Sequence, residues 1–132
     1  MSGFAGIINF SAKIQDDNNF MLMVDELVSH PHKATSSFSN NHAKIFHAEL
    51  NFKEASSKQN SIFYCSMSEK LVLFYGRIDN KDEISLITKE RHLEAKQCFI
   101  LHKLHKEKFH KYLQGSWVLV IIDFVNKTLI SY

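Results

Sequence analysis

The most constraining feature of this sequence is an unbroken apolar run at residues 117–122, WVLVII, which stops at Asp123. The run is long enough for a buried strand and too short for a helix. A buried strand needs neighbours, and the turn residues Asn126 and Lys127 lead into a partner strand predicted at residues 128–132. The fold must therefore contain a sheet with an apolar interior.

The rest of the pattern places further strands around helical segments. Strands are predicted at residues 3–10, 45–52, 61–67 and 70–75, of which the first is a buried strand and the last two form a hairpin. Helices are predicted at residues 20–28, 82–88 and 93–113, the last as one helix or two. The last helical segment carries one inward stripe, Leu93, Gln97, Leu101 and Leu104. Residues 29–42 are polar and predict a mobile loop.

This order of elements predicts an α/β or α+β fold with a largely antiparallel sheet. The chain length predicts one domain over residues 1–132. A hydrophobic content of 45% is enough to build a core, which excludes a disordered chain.

The charge balance, the apolar windows and the cysteine count argue against three classes of protein: nucleic-acid binders, membrane-spanning proteins and disulfide-rich secreted proteins. A formal charge of +2 is too small to favour a nucleic-acid binder. No apolar window approaches the length of about 20 residues that a membrane span needs. The start of the chain has no charged leader, and two cysteines cannot form a disulfide framework. These observations predict a cytoplasmic protein that binds neither nucleic acid nor a membrane.

Metal and nucleotide sites are not indicated. The sequence contains 8 histidines, but it has neither a His-Glu-x-x-His motif nor a Cys-x-x-Cys pair. His102 and His105 are expected to lie on a solvated helix face, while Cys65 and Cys98 are expected to act as small buried apolar residues. No glycine-rich phosphate loop is present, so we expect no cofactor.

The N-terminus carries the clearest candidate for chemistry. Removal of Met1 would leave the hydroxyl of Ser2 beside its own α-amine, whose pKa is about 8 in a free peptide. Such an amine can act as the general base for its own nucleophile. Ser2 alone does not decide this, because Met-Ser-Gly is also a common start without any function.

Three segments resemble type-2 glutamine amidotransferase domains of the asparagine synthetase family. MSGFAGIINF at residues 1–10 is similar to the family's opening Met-Cys-Gly-Ile-x-Gly. LVLFYGRIDNKDE at residues 71–83 is similar to its apolar strand followed by Asn-Gly-x-Ile-x-Asn-x-x-Glu. YLQGSWVLVIID at residues 112–123 is similar to its Leu-x-Gly-x-Phe-Ala-x-x-x-x-Asp strand. The resemblance implies the fold of N-terminal nucleophile hydrolases, a four-layer α/β/β/α sandwich of two largely antiparallel sheets.

The site residues depart from the family pattern. Ser2 replaces the family's nucleophilic cysteine, and Glu49 replaces the arginine that grips the glutamine carboxylate. Tyr75 replaces the asparagine of the oxyanion hole, which leaves the backbone N–H of Gly76. Glu94 aligns with the aspartate that holds the substrate amine. The resemblance therefore implies a degenerate glutaminase-like domain without glutaminase activity.

This interpretation implies a structural or partner-binding role in an amide-bond-forming system of the asparagine synthetase type. The family's sheet continues beyond the point that corresponds to residue 132, so the sandwich is expected to be incomplete at its C-terminal end. The expected partner is a synthetase-type subunit or a second copy of the chain, bound through the C-terminal strand. The alternative is an active N-terminal-serine amidohydrolase that releases ammonia from glutamine or another small amide.

Overall fold

The computed structural model describes residues 3–15, 17–29, 34–49, 61–91 and 93–132. Within these ranges the chain is a mixed α+β protein with two antiparallel sheets and three α-helices. The chain divides into two compact units, Met1–Lys58 and Gln59–Tyr132. The α+β class with antiparallel sheets is thus confirmed, while the single domain over residues 1–132 stays a prediction.

The first unit is a three-stranded sheet with one helix. Its elements in chain order are β1 (Gly3–Ile8), α1 (Asp17–Val28), β2 (Ala34–Ser39) and β3 (Ala43–Glu49). The sheet order is β1-β3-β2, so β3 is the central strand and its side chains Ala43, Ile45 and His47 are buried. The first strand lies at an edge and is half-buried, so the prediction of a buried strand at residues 3–10 is wrong in degree.

Strand β2 corrects the prediction of a loop over residues 29–42. It pairs in register with β3, from Ala34 opposite Glu49 to Ser39 opposite Lys44. The connecting turn is closed by Asn40, whose Oδ1 accepts hydrogen bonds from the backbone N–H groups of His42 at 2.8 Å and Ala43 at 2.7 Å. A serine-rich segment has weak strand propensity, and pairing with β3 supplies its backbone bonds. Residues 30–33 lie outside the described ranges.

The second unit is a four-stranded antiparallel meander with two helices. Its strands are β4 (Ile62–Cys65), β5 (Lys70–Ile78), β6 (Gly115–Asp123) and β7 (Thr128–Ser131), in the order β4-β5-β6-β7. Its helices are α2 (Lys81–Thr88) and α3 (Glu94–His105), and a 3-10 helix follows at Lys106–Tyr112. The predicted hairpin at residues 61–75 and the predicted strands at residues 117–122 and 128–132 are confirmed.

The core of the second unit lies between one face of this sheet and the helices. Val72 and Phe74 of β5 and Leu119 of β6 pack against helical residues, among them Leu101 and the 3-10 residue Phe109. The side chains of Phe74 and Phe109 are almost completely buried. Burial of each such aromatic side chain stabilises the folded state by about 1.5–3 kcal/mol.

The inward face of α3 differs from the predicted stripe. Leu104 is 57% exposed, whereas Ala95, Cys98 and Leu101 are fully buried. The helix ends at His105, and Lys106 takes a positive φ of 52° before the 3-10 helix starts. That break turns the chain so that Phe109, rather than Leu104, fills the core.

The helices of the described residues are short, with at most 12 residues each. None of them is long and apolar enough to cross a membrane.

Candidate functional site

The sequence-predicted site residues are divided between the two units. Ser2 lies outside the described residues, so its geometry is not part of the site. Glu49 ends β3 in the first unit, whereas Tyr75, Gly76 and Glu94 belong to the second unit.

Glu49 is half-buried at the end of the central strand of the first sheet, opposite Ala34. Two residues earlier, His47 is 2% exposed, and its ring centroid lies 4.5 Å from that of Phe4 on the neighbouring strand. Burial lowers the pKa of His47, so the imidazole is held in its neutral form in this surrounding. The end of β3 thus places a carboxylate where the family pattern has an arginine, two residues from a neutral imidazole.

Gly76 lies where strands β5 and β6 approach closely. It has φ +129°, and a Cβ atom there would lie 2.2 Å from the carbonyl oxygen of Ser116 and 2.6 Å from Cα of Trp117. Gly115, at the start of β6, has φ +135° and would place a Cβ 2.1 Å from the carbonyl oxygen of Arg77. Both positions require glycine because any side chain would collide with backbone atoms.

The hydrogen-bonding pattern between β5 and β6 determines the direction of the Gly76 N–H. Leu119 exchanges two backbone hydrogen bonds with Tyr132, at 3.1 and 2.9 Å, so the backbone of Phe74 opposite it is directed away from β6. Consistent with this, the N–H of Phe74 donates to the carbonyl of Ser61 at 2.8 Å. Gly76 is two residues further along and has the same orientation. Its N–H therefore faces away from β6.

Tyr75 and Gly76 line a shallow groove at this end of the sheet, together with Gly115, Ser116, Trp117 and Val118. Tyr75 is 40% exposed and lies opposite Val118 in the ladder. A phenol carries one O–H donor and no amide N–H. The groove therefore offers an aromatic surface where the family pattern has an amide side chain.

Asn80 organises the segment between β5 and α2, and in the sequence it stood out only as part of the motif at residues 71–83. Its Oδ1 accepts from the N–H of Gln114 at 3.0 Å, and its Nδ2 donates to the carbonyl of Tyr112 at 2.8 Å. Its Nδ2 also donates to Glu83 Oε2 at 2.9 Å. One side chain thus ties the start of α2 to the chain just before β6, which positions the groove and α2 relative to each other.

Glu94 is the first residue of α3 and lines a different depression from Tyr75 and Gly76. Only 6% of it is exposed, and its Oε1 lies 3.5 Å from Nζ of Lys81. Its Oε2 is buried without a hydrogen-bond partner among the described residues. The depression is a cleft between α2 and α3, and Glu94 shares its lining with Lys81, Asp82, Ser85, Leu86, Arg91 and Gln97. The structure therefore does not bring Glu94 into the groove of Gly76.

Gln97 is a buried polar residue whose role the stripe prediction missed. It is 3% exposed, and its Nε2 donates to the carbonyl of Glu90 at 2.7 Å and to Oγ of Ser85 at 3.2 Å. Glu94 and Gln97 are three residues apart and occupy one face of α3. In the sequence, two polar residues at this spacing on an otherwise apolar helix face were the signal that could have indicated a polar site here.

The remaining candidates for chemistry have structural surroundings. Among the described residues, no group of three or more histidine, cysteine, aspartate or glutamate side chains could hold a metal ion. His102 is not simply solvated, because its ring meets that of Phe109 edge-on at 5.4 Å, and burial lowers its pKa. Cys98 is fully buried, and burial raises its pKa to about 12, whereas Cys65 is only partly buried.

Comparison with protein-family models finds no match for this chain, and comparison with curated proteins finds no significant one.

Proposed function

We propose that this chain is a degenerate glutaminase-like domain of the asparagine synthetase type, which acts by binding a partner rather than by hydrolysing glutamine. The observation that carries the proposal is the contrast between residues 75 and 76. Gly76, which stands at the glycine of the resembled Asn-Gly motif, has a backbone conformation that only glycine tolerates. Tyr75 beside it lacks the amide of that motif. The backbone is therefore suited to the family's site, and the side chain is not.

The second sheet supports the finer fold, the α/β/β/α sandwich of N-terminal nucleophile hydrolases. Val72 and Leu119 face the helices. Leu71, Leu73 and Ile122 point to the opposite face by strand alternation and are also buried. A sheet that is apolar on both faces is typical of an internal layer. The proposed sandwich has such layers.

Loss of glutaminase activity follows from the chemistry of the altered positions. The carboxylate of Glu49 would repel the carboxylate of glutamine, where the family has an arginine. Tyr75 removes one donor from the oxyanion hole, and such a loss costs about 10²–10³ in rate. Both changes reduce the rate independently, so no measurable turnover is expected.

Partner binding is proposed through β7. All of its residues are exposed, including Leu129 at 48% and Ile130 at 44%. It pairs with β6 on one side and is an edge of the second sheet in the described part of the chain. Exposed strand edges with apolar side chains pair readily with another chain. The partner is a second copy or a synthetase-type subunit in the cytoplasm, and neither nucleic acid nor a membrane is proposed.

The alternative function is hydrolysis of a small amide by an N-terminal Ser2. Gly76 favours it, because its backbone N–H is the oxyanion-hole donor that the family resemblance leaves in place. This alternative requires removal of Met1 and a substrate that tolerates Glu49.

A glutaminase assay on the full chain separates the two functions. Mass spectrometry first establishes whether Met1 is removed, and ammonia release from glutamine is then measured against a buffer blank. We expect no release above the blank, with the wild type and Ser2→Ala giving equal signals. Ammonia release that disappears in Ser2→Ala would refute the degenerate interpretation and establish the amidohydrolase.

A further inference from the structure

The cleft between α2 and α3 contains polar groups that are held in place and incompletely satisfied. It has a volume of about 420 Å³. The side chain of Glu94 is 8% exposed, and its contact with Lys81 is long, at 3.5 Å. Its second carboxylate oxygen has no hydrogen-bond partner among the described residues. Glu94 therefore lines the cleft as a carboxylate with spare acceptor capacity, because its one ion-pair contact is long.

The charge around Glu94 decides which kind of donor fits. Lys81 already lies beside the carboxylate and compensates its charge. Asp82 and Arg91 also line the cleft, so its two cations and two carboxylates balance before any ligand binds. A ligand ammonium at Glu94 would add a second cation next to Lys81, and like charges at short range repel. A hydroxyl group donates to a carboxylate without adding charge. Oε1, the oxygen beside Lys81, is the acceptor for such a hydroxyl, because Oε2 has almost no accessible surface.

The groups beside Glu94 can bind further hydroxyls of the same ligand. The hydroxyl of Ser85 accepts from Gln97 Nε2, so its own hydrogen is left to donate to a ligand. Gln97 is held by a second bond to the carbonyl of Glu90, at 2.7 Å, and is therefore fixed in orientation. A carboxylate, a hydroxyl and an oriented amide in one cleft offer both acceptors and donors to adjacent ligand hydroxyls.

Arg91 adds a cation at the rim. It is exposed, and no ion pair joins it to any residue within the described ranges. A guanidinium binds carboxylate or phosphate through two parallel hydrogen bonds. We infer that the α2–α3 cleft binds a small polyhydroxylated anion, with its hydroxyls on Glu94 and Ser85 and its anionic group on Arg91. This site is independent of the proposed partner role.

The test uses matched six-carbon probes on the full chain, followed by backbone amide chemical shifts in ¹H–¹⁵N spectra. D-Gluconate carries hydroxyls and a carboxylate, D-sorbitol the hydroxyls, hexanoate the carboxylate, and hexylamine an ammonium. We expect saturable shifts on α2 and α3 with gluconate, and binding of the other three at least about tenfold weaker. Absence of saturation with gluconate, or tighter binding of hexylamine or equally tight binding of sorbitol, would overturn the inference.

Variants assign the two ends of the ligand. Arg91→Gln changes an exposed residue, and it should weaken gluconate binding to the level of sorbitol without changing sorbitol binding. Arg77→Gln is the matched control, because Arg77 is exposed and lies outside the cleft. Glu94→Gln should weaken both polyols about tenfold, since it removes a charge-assisted hydrogen bond. Gluconate binding that is equal in Arg91→Gln and Arg77→Gln, or unchanged in Glu94→Gln, would contradict the assignment.

Discussion

Substitution of Gly76 by alanine should strongly destabilise the second unit. The new Cβ would lie 2.2 Å from the carbonyl oxygen of Ser116 and 2.6 Å from Cα of Trp117, both of which are backbone atoms. Neither atom can move away as the end of a flexible side chain can. A left-handed φ costs an L-residue about 1–2 kcal/mol, and overpacking adds about 1–3 kcal/mol. The free energy of unfolding should therefore fall by about 2–5 kcal/mol.

Urea unfolding measures this change. Trp117 is the single tryptophan and lies opposite Gly76, so its fluorescence reports on this part of the sheet. With a slope of about 1–3 kcal/mol/M, the midpoint should fall by about 1 M or more while the slope stays the same. Far-UV circular dichroism should give the same midpoint if the transition is cooperative.

Gly3→Ala is the matched control for this experiment. A Cβ at Gly3 would meet only Cδ2 of Leu27, at 3.9 Å, an ordinary van der Waals distance. Its midpoint should remain within about 0.3 M of the wild type. A similarly small shift for Gly76→Ala would refute the close backbone approach between β5 and β6.

Three further predictions concern thiols, pH and association. In the native protein a thiol reagent at pH 8 should modify Cys65 well before Cys98, because burial raises the pKa of Cys98 to about 12. If Cys98 were modified at the same rate in the native and the unfolded protein, this prediction would be contradicted. Asp123 is partly desolvated, but hydrogen bonds from Asn126 lower its pKa, so the stability that it contributes is present above its ordinary pKa and lost as pH falls below it. Asp123→Asn should therefore destabilise the protein at pH 7, and by progressively less as the pH is lowered through the ordinary aspartate pKa, as measured by thermal unfolding. A loss that does not change with pH would argue against this. Ser131→Pro should weaken any oligomer seen by sedimentation, whereas Ser131→Ala should not, since the N–H of residue 131 faces outward from β7. A wild-type monomer would contradict pairing with a second copy through this edge.

The strands of the second sheet were predictable from the sequence alone. The run at residues 117–122 and the segments on either side of Ser68 and Glu69 are apolar over strand-like lengths, and turn residues separate them. Local pattern and turn chemistry agree at these positions, so the observed β4, β5, β6 and β7 follow them closely. The same agreement places α2 after Asn80.

Tertiary contacts decided the rest. The serine-rich β2 becomes a strand only because β3 supplies its hydrogen bonds, and Leu104 is exposed because the chain turns at Lys106 and brings Phe109 into the core. The cleft at Glu94 depends on how α2 and α3 pack against each other. The outward-facing backbone N–H groups of β7 depend on its register with β6. A local sequence pattern records periodicity and turn preference, but it does not record the partner that satisfies a backbone or side-chain polar group.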